Sequence, residues 1–302
     1  MKYSALIFNY GSIGSKHARI LKKYLKLNEI YIYTKKKIKN YAVINSLNDI
    51  KKKNIDYFII ASPTTKHFRY LNFLENNFKN KKILIEKPLF HKFINYKIIQ
   101  NKVYVGYNLR FNKMLNYIKF FIKNRKIIDI KVQCSSFLPS WRKGKKYQNT
   151  NSALKSLGGG VTLELSHEID YIRWIFGNFQ IKFVEKGKFS NLKIDTEDLL
   201  RVFGKINKAN LLIDLNFYSR INQRKLYIDG IDFSIFADLL LGKLIINNKG
   251  KEKVKYFKGD KDETYLMQHK KILQQKGYDV CSYKFGLETM KVLDKIKKWK
   301  KN

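Results

Sequence analysis

The feature that most constrains the fold of this 302-residue chain is a glycine turn between an apolar strand and a helix. The apolar run at residues 3–9 predicts a strand, and the pattern at 13–24 predicts a helix directly after it. The connecting turn reads Asn9-Tyr10-Gly11-Ser12-Ile13-Gly14. Gly11 lets the backbone approach a phosphate, and Gly14 lets the helix pack on the strand. This arrangement is typical of dinucleotide-binding domains, with a plain strand–turn–helix as the alternative.

Asn9 stands where the dinucleotide fingerprint has its first glycine. Asn tolerates left-handed backbone better than most residues, so we expect the turn to persist. The amides and dipole at the helix N-terminus would then face phosphate groups, with Gly11, Ser12, Ile13 and Gly14 as the binding residues.

A second strand is predicted at residues 29–33, and the chain continues with Thr34 and Lys35. A site that prefers NAD usually places Asp or Glu at this point to bind the adenosine ribose. Thr34 and Lys35 instead suit a 2′-phosphate and favour NADP over NAD. Because the chain is so rich in lysine, a chance lysine at position 35 is the alternative.

The wider pattern predicts an α/β protein with two domains. Strands alternate with helices in the first third, which indicates a doubly wound parallel sheet of the Rossmann type over residues 1–120. Closely spaced strands follow, and they indicate an α+β domain with a mostly antiparallel open sheet over residues 121–302. One helix is predicted across 161–176, and a final helix at 282–300 is predicted to return to the first domain.

The net charge of +38 invites a nucleic-acid interpretation, since 62 Lys and Arg residues face only 24 Asp and Glu. However, only 9 of the 62 are Arg, the usual choice for bidentate phosphate contacts, and the lysines occur in scattered short runs. Residues with A/T-rich codons make up more than half of the chain, so codon bias explains much of the charge. We expect no specific nucleic-acid partner.

The remaining composition excludes other classes. No apolar run approaches the ~20 residues of a membrane span, so no membrane partner is expected. Two cysteines make neither a disulfide framework nor a metal-ligand cluster, so no metal is expected and a cytoplasmic location fits best.

Three further segments give the sequence a specific resemblance. They read ASPTTKH at residues 61–67, IEKP at 85–88 and GGGVTLELSHEID at 158–170. Together with the glycine turn, they resemble the Gfo/Idh/MocA family of NAD(P)-dependent oxidoreductases, over nearly the whole chain. The resemblance implies hydride transfer between NAD or NADP and a sugar, sugar derivative or nucleotide sugar. It also implies a homo-oligomer, either a dimer or a tetramer.

The resemblance also implies a set of site residues. Cofactor contacts are expected from Ser62, Pro63, Thr64, His67, Glu86, Lys87, Trp141 and Arg142, and substrate contacts from Lys87, Asn108, Arg110, His167 and Asp170. For His67, a role on its helix face is the alternative.

Lys87 and His167 are the predicted proton-transfer residues. Hydride transfer needs a group that removes the alcohol proton and donors that stabilise charge on the oxygen. Lys87 follows a strand and is held outside a helix by Pro88, so it points into the crevice where such sheets bind ligands. The ordinary pKa of a histidine lies near neutrality, which suits His167 for acid–base work.

One departure from the family pattern concerns the acid before His167. Family members have Asp four residues before the histidine, where this chain has Leu163, while Glu164 stands three residues before it. Since residues three apart share a helix face, Glu164 is a candidate for the acid. The departure also leaves open a catalytically inactive nucleotide-binding sensor or scaffold with the same fold.

Overall fold

A computed structural model describes residues 3–142, 144, 146–260, 262–274 and 279–300. The chain forms two compact units. The first comprises Met1–Phe111 and Lys261–Met290, and the second comprises Asn112–Asp260 and Lys291–Asn302. This division differs from the predicted one, in which a single boundary near residue 120 leaves everything beyond it in the second domain. The difference arises because residues after 260 add a helix and an edge strand to the first unit.

The described strands and helices follow one another along the chain with these bounds. The strands are β1 Ser4–Phe8, β2 Glu29–Tyr33, β3 Ala42–Ile44, β4 Tyr57–Ile60, β5 Lys82–Ile85, β6 Lys102–Val105, β7 Ile127–Ser135, β8 Gln180–Gly187, β9 Leu199–Ile206, β10 Ala209–Asn216, β11 Gln223–Gly230, β12 Phe233–Asp238, β13 Lys243–Asn248, β14 Lys251–Tyr256 and β15 Cys281–Ser282. The helices are α1 Ser12–Lys23, α2 Leu47–Lys51, α3 His67–Asn77, α4 Lys113–Phe121, α5 Val161–Glu164, α6 Ser166–Phe176, α7 Glu263–Leu273 and α8 Tyr283–Lys298.

The first unit is built on a sheet with the strand order β3-β2-β1-β4-β5-β6-β15. All pairs are parallel except that β15 is antiparallel to β6. Strands β1, β4 and β5 are buried along their whole length, as expected for strands that are covered on both faces. The strand order reverses between β1 and β4, and sheets of this kind bind ligands beside that point, at the carboxyl ends of the strands. The predicted Rossmann sheet is confirmed.

The second unit contains a sheet with the order β14-β13-β12-β11-β7-β10-β9-β8. Only β7 and β10 pair in parallel, so the predicted mostly antiparallel sheet is also confirmed. Alternate residues of the central strands, such as Ile130, Val132, Ile213 and Val202, are fully or almost fully buried. Their neighbours on the opposite face are partly exposed, so one face of the sheet forms the core and the other is open.

The single helix predicted across residues 161–176 is wrong, because the structure has two helices there. Leu165 separates α5 from α6 with φ −97° and ψ 31°, outside the helical region. Leu165 is buried, as are Leu163 and Ser166, so burial continues through the break and the apolar pattern does not reveal it.

The predicted return of the last helix is confirmed for its first half, since residues of α8 up to Met290 belong to the first unit. A Cβ atom at Gly286 would lie 2.4 Å from Val105 Cγ2, which shows how closely α8 approaches β6. No helix in the described ranges is both long and apolar enough to cross a membrane.

Candidate functional site

The carboxyl ends of the parallel strands bring together most of the residues predicted to bind a cofactor. The chain leaves β1 at Asn9, β2 at Thr34, β4 at Ala61 and β5 at Glu86. The glycine turn, residues 34–35, residues 62–64 and residues 86–87 therefore share one edge of the first unit's sheet. Trp141, Arg142, Glu164, His167 and Asp170 belong to the second unit.

Asn9 connects three of these strand ends. It has a φ of 79°, so the left-handed backbone expected of the glycine it replaces is present. Its amide donates to the carbonyl of Tyr33 at 2.9 Å, and its side-chain Nδ2 donates to the carbonyl of Ala61 at 3.4 Å. The expectation that the turn survives without the first glycine is confirmed, and the Asn side chain adds a hydrogen bond that glycine lacks.

The two glycines of the turn have different environments. A Cβ atom at Gly14 would lie 2.2 Å from the carbonyl oxygen of Asn9, so no larger residue fits there without a shift of the backbone. A Cβ atom at Gly11 would meet only the Asn9 side chain, at 3.5 Å. Gly14 thus allows α1 to begin tightly against the turn, whereas Gly11 leaves the outer side of the turn open.

The N-terminus of α1 fits a bound pyrophosphate. No side chain caps it among the described residues, and its first turn carries no acidic residue. Its first amides therefore keep their capacity to donate, and the helix dipole adds a partial positive charge. Gly11 and Ser12 are exposed at this end of the helix.

The end of β2 is folded into a small turn. Thr34 Oγ1 accepts a hydrogen bond from the amide of Lys36 at 3.2 Å, and the amide of Thr34 donates to the carbonyl of Ile44 at 3.0 Å. Lys35 is exposed. The structure therefore places both predicted ribose-side residues directly beside the end of β1.

His67 joins two of the loops at this edge. Its ring is buried, with Nε2 3.0 Å from the carbonyl of Ser62 and Nδ1 3.1 Å from the carbonyls of Pro88 and Leu89. Burial lowers the pKa of His67 below its ordinary value. Because both ring nitrogens face main-chain carbonyls, a hydrogen bond from this ring to a cofactor would have to displace one of them.

Glu86 and Lys87 follow β5 directly. The Glu86 side chain is buried, and its Oε2 lies 3.3 Å from the amide of Lys87. Lys87 is half-buried and lies outside any helix, as predicted, with a cis peptide bond to Pro88. A Cβ atom at Gly106 would lie 2.8 Å from Glu86 Oε1, so the glycine at the end of β6 makes room for the Glu86 carboxylate.

Asn108 and Arg110 are almost completely buried, at 5% and 3% exposure. Asn108 Nδ2 donates to Thr264 Oγ1 at 2.7 Å, and the Arg110 guanidinium lies 4.2 Å from the centre of the Phe285 ring. These contacts attach α7 and α8 to the N-terminal part of the first unit, a role not predicted for Asn108 and Arg110, which were expected to contact substrate.

In the second unit, the glycine triplet packs closely against its surroundings. Gly160 has a φ of 105°, and a Cβ atom there would lie 2.6 Å from a carboxylate oxygen of Glu197. Glu197 Oε1 accepts from the amide of Thr162 at 3.2 Å, and its carbonyl accepts from the amide of Val161 at 3.1 Å. Glu197 thus holds the start of α5, and no motif in the sequence had pointed to it.

Glu164 and His167 do not share one continuous helix, because the chain breaks at Leu165 between them. Their spacing of three residues therefore does not place the two side chains on one helix face. Glu164 is half-buried and accepts a hydrogen bond from Ser152 Oγ at 3.0 Å. His167 is half-buried on the first turn of α6, and Asp170 is buried one turn later on the same helix.

Two contacts fix the surroundings of these residues. Glu168, fully buried on α6, lies 2.9 Å from the Arg224 guanidinium and so anchors the helix to β11. Trp141 Nε1 donates to Ser136 Oγ at 2.9 Å, and its ring packs edge-on against Phe217. The described residues contain no group of three or more His, Cys, Asp or Glu side chains arranged to hold a metal ion.

The contrast between the two turn glycines is testable. We predict that Gly14→Ala lowers the free energy of unfolding by ~1–3 kcal/mol, because the new Cβ atom collides with the Asn9 carbonyl. Gly11→Ala should cost less than ~1 kcal/mol, since its Cβ atom meets only ordinary contacts. Urea unfolding of both variants without ligand measures the difference. Equal losses would contradict this description of the turn.

The chain is similar in structure to several solved proteins, although its sequence differs widely from theirs. No family profile matches the sequence, and no curated protein matches it. A levoglucosan dehydrogenase in complex with NADH superposes with a TM-score of 0.81 and 14% identity, covering 98% of this chain and 96% of that one. The WlbA dehydrogenase from Bordetella pertussis, in complex with NADH and UDP-GlcNAcA, has a TM-score of 0.80 and 15% identity over 98% and 94%.

A third structure is UDP-N-acetylglucosamine 3-dehydrogenase GnnA from Acidithiobacillus ferrooxidans. It has a TM-score of 0.76 and 14% identity and covers 98% of this chain and 97% of that one. Each match extends over nearly the full length of both chains, while the identities stay low. The protein therefore has the two-unit α/β fold of Gfo/Idh/MocA-type dehydrogenases.

Proposed function

We propose that this protein is an NAD(P)-dependent oxidoreductase that transfers hydride between a nicotinamide cofactor and a hydroxyl or carbonyl group of a sugar compound. The observation that carries the proposal is the edge of the first sheet. There the left-handed turn at Asn9 and the uncapped start of α1 follow β1, and the Glu86–Lys87 pair follows β5, with β4 between these two strands in the sheet.

The chain's own residues have distinct tasks in cofactor binding. The first amides of α1 would bind the pyrophosphate, Thr34 and Lys35 would face the adenosine ribose, and the turn at residues 62–64 would line the site. When bound, the nicotinamide supplies the hydride acceptor or donor. Trp141 and Arg142 remain proposed cofactor contacts from the second unit.

Lys87 and His167 are proposed to carry proton transfer. In the oxidation direction, one of these two side chains would take the proton of the substrate hydroxyl, and a bound nicotinamide would supply the hydride acceptor. Glu164, and Asp170 one turn beyond His167, are proposed to assist by orienting His167 or by binding substrate hydroxyl groups.

The substrate is proposed to be a sugar, a sugar derivative or a nucleotide sugar. Three similar structures support this class, since those proteins bind or act on levoglucosan, UDP-GlcNAcA and UDP-N-acetylglucosamine. The net charge of +38 would favour anionic ligands at low ionic strength, which fits a nucleotide sugar.

Removal of Lys87 tests the proposed reaction. We predict that Lys87→Ala lowers kcat at least ~100-fold, because proton transfer by a positioned side chain contributes ~10²–10⁴-fold. NAD(P)H binding, measured by fluorescence titration, should persist. Lys92→Ala, which removes an exposed lysine five residues away, is the matched control and should keep full turnover.

Retained turnover in Lys87→Ala would reject the role of Lys87. Wild-type protein that binds NAD(P)H but turns over no sugar or nucleotide sugar would instead favour a nucleotide-binding sensor or scaffold.

We also propose that NADP is preferred over NAD. This preference depends on residues 34 and 35 alone, since two of the similar structures contain NADH. We predict that Lys35→Ala raises the Kd for NADPH ~3- to 10-fold and leaves the Kd for NADH unchanged, because only NADPH carries the 2′-phosphate. Lys36→Ala, at the neighbouring exposed lysine, is the control. If the Kd for NADPH were the same in wild type and in Lys35→Ala, the proposed preference would be contradicted.

A homo-oligomer through the open face of the second sheet is part of the proposal. Cross-strand partners Phe183 and Phe203 are exposed there at 42% each, and the next row along those strands pairs Arg201 with Glu185 and Asp214. These ion pairs balance charge locally on a strongly basic chain, so a second copy can approach this face without strong repulsion.

The oligomer prediction is that light scattering gives a mass of two or four chains. Phe203→Asp should shift the mass to one chain, because it places an unpaired carboxylate within an apolar contact. Phe120→Asp, at an exposed phenylalanine on α4, should leave the mass unchanged. A wild-type mass of one chain would contradict the proposal.

A further inference from the structure

Four side chains of the first unit form a continuous hydrogen-bonded row that ends beside Lys87. The Tyr57 hydroxyl lies 2.9 Å from His269 Nδ1, and His269 Nε2 lies 2.8 Å from His17 Nδ1. His17 Nε2 lies 2.9 Å from Glu86 Oε1. The row therefore runs from Tyr57 through two histidines to the residue that precedes Lys87.

The row is assembled from four separate elements and is closed to solvent. Tyr57 comes from β4, Glu86 from the end of β5, His17 from α1 and His269 from α7. Tyr57, His17 and His269 have no exposed surface, and Glu86 has 7%. The rings of His17 and Tyr265 pack edge-to-face with their centres 5.6 Å apart, so Tyr265 of α7 covers His17 on that side.

The hydrogen bonds have one consistent direction. A carboxylate only accepts, so His17 Nε2 donates to Glu86, and in a neutral ring His17 Nδ1 then accepts. His269 Nε2 donates to it, and His269 Nδ1 accepts from the Tyr57 hydroxyl. Every polar atom in the row is satisfied in this arrangement. The reverse direction would leave the Tyr57 proton without an acceptor in the part of the chain that the structure describes.

Burial favours the neutral form of the second histidine. It lowers the pKa of His269 well below its ordinary value. Burial also raises the pKa of Tyr57 well above its ordinary value, so the hydroxyl keeps its proton. Since the row ends at a buried tyrosine, it has no exit to solvent and serves to hold Glu86 rather than to conduct protons.

Glu86 connects the hydrogen-bonded row to the backbone of Lys87. With Oε1 held by His17, the other oxygen, Oε2, lies 3.3 Å from the Lys87 amide. Gly106 allows the carboxylate to sit in this orientation, as no Cβ atom fits beside Oε1. The Glu86 carboxylate therefore contacts His17 with one oxygen and the Lys87 amide with the other. Its rotation and the position of the Lys87 backbone depend on each other.

We propose that His17, His269 and Tyr57 are positioning residues that set the orientation of Glu86 and, through it, of Lys87. This inference rests on the proposed function, in which Lys87 transfers a proton. It assigns a role to α7 as well, because that helix brings His269 from the C-terminal part of the chain into the first unit.

The kinetic test compares two substitutions at His17. We predict that His17→Leu lowers kcat ~10- to 100-fold while KM changes less than ~3-fold, as for other partners that orient a reacting group. His17→Gln should recover most of kcat, because its amide N–H stands the same number of bonds from the backbone as Nε2. Tyr57→Phe should cause a smaller loss of kcat. Persistent NAD(P)H binding shows that each variant is folded.

Arg19→Ala is the matched structural control. It removes the two hydrogen bonds between Arg19 on α1 and Asp262 before α7, at 2.5 and 2.8 Å, and leaves the row intact. Its kcat should equal that of the wild type. A loss equal to that of His17→Leu, or full kcat in His17→Leu, would overturn the proposal while leaving the proposed function in place.

A second readout does not need turnover. NMR of protein labelled with ¹⁵N-histidine should show both His17 and His269 as neutral rings protonated at Nε2. In Tyr57→Phe, the Nδ1 signal of His269 should shift as its hydrogen bond is lost. Protonation at Nδ1 in either ring would overturn the row. If the wild type turns over no sugar, the proposed function fails, and these signals still decide whether the row exists.

Discussion

The left-handed backbone at Asn9 is the constraint on which the candidate site depends. By turning the chain sharply after β1, it directs the Asn9 carbonyl at Gly14 and places the start of α1 over the edge of the sheet. The same residue bonds to Tyr33 and Ala61, so three strand ends stay in register around one turn. The start of α1, which no side chain of the described residues caps, therefore directs its first amides to where a phosphate-bearing ligand can bind.

The first unit supports that edge with buried polar contacts rather than with apolar packing alone. His67 ties the turn after β4 to the segment after Lys87, and His17 ties α1 to Glu86. Both histidine rings are buried, so the loss of either hydrogen bond would leave a buried polar atom without a partner and lower the stability of the fold. In the second unit, too, a polar side chain fixes the start of a helix, because Glu197 binds the start of α5 beside the glycine triplet.

Local patterns in the sequence were enough to predict both sheets and the turn at Asn9, because apolar periodicity and glycine spacing act over a few residues. They were not enough for the break at Leu165, where burial continues through a change of backbone. They also did not reveal the contacts of Glu197 with Gly160 or of His269 with His17, since partners 37 and 252 residues apart meet only in the folded chain. The placement of α7 and β15 in the first unit was missed for the same reason.

The central claim is that the edge of the first sheet binds a nicotinamide dinucleotide. Hydrogen–deuterium exchange with and without saturating NADPH tests it most directly, because it reports on each segment of the chain and requires no substrate. The account predicts slower exchange at residues 9–14, 34–36, 62–64 and 86–88, with no change across β13 and β14 of the second unit. Unchanged exchange at residues 9–14 in the presence of NADPH and of NADH would contradict it.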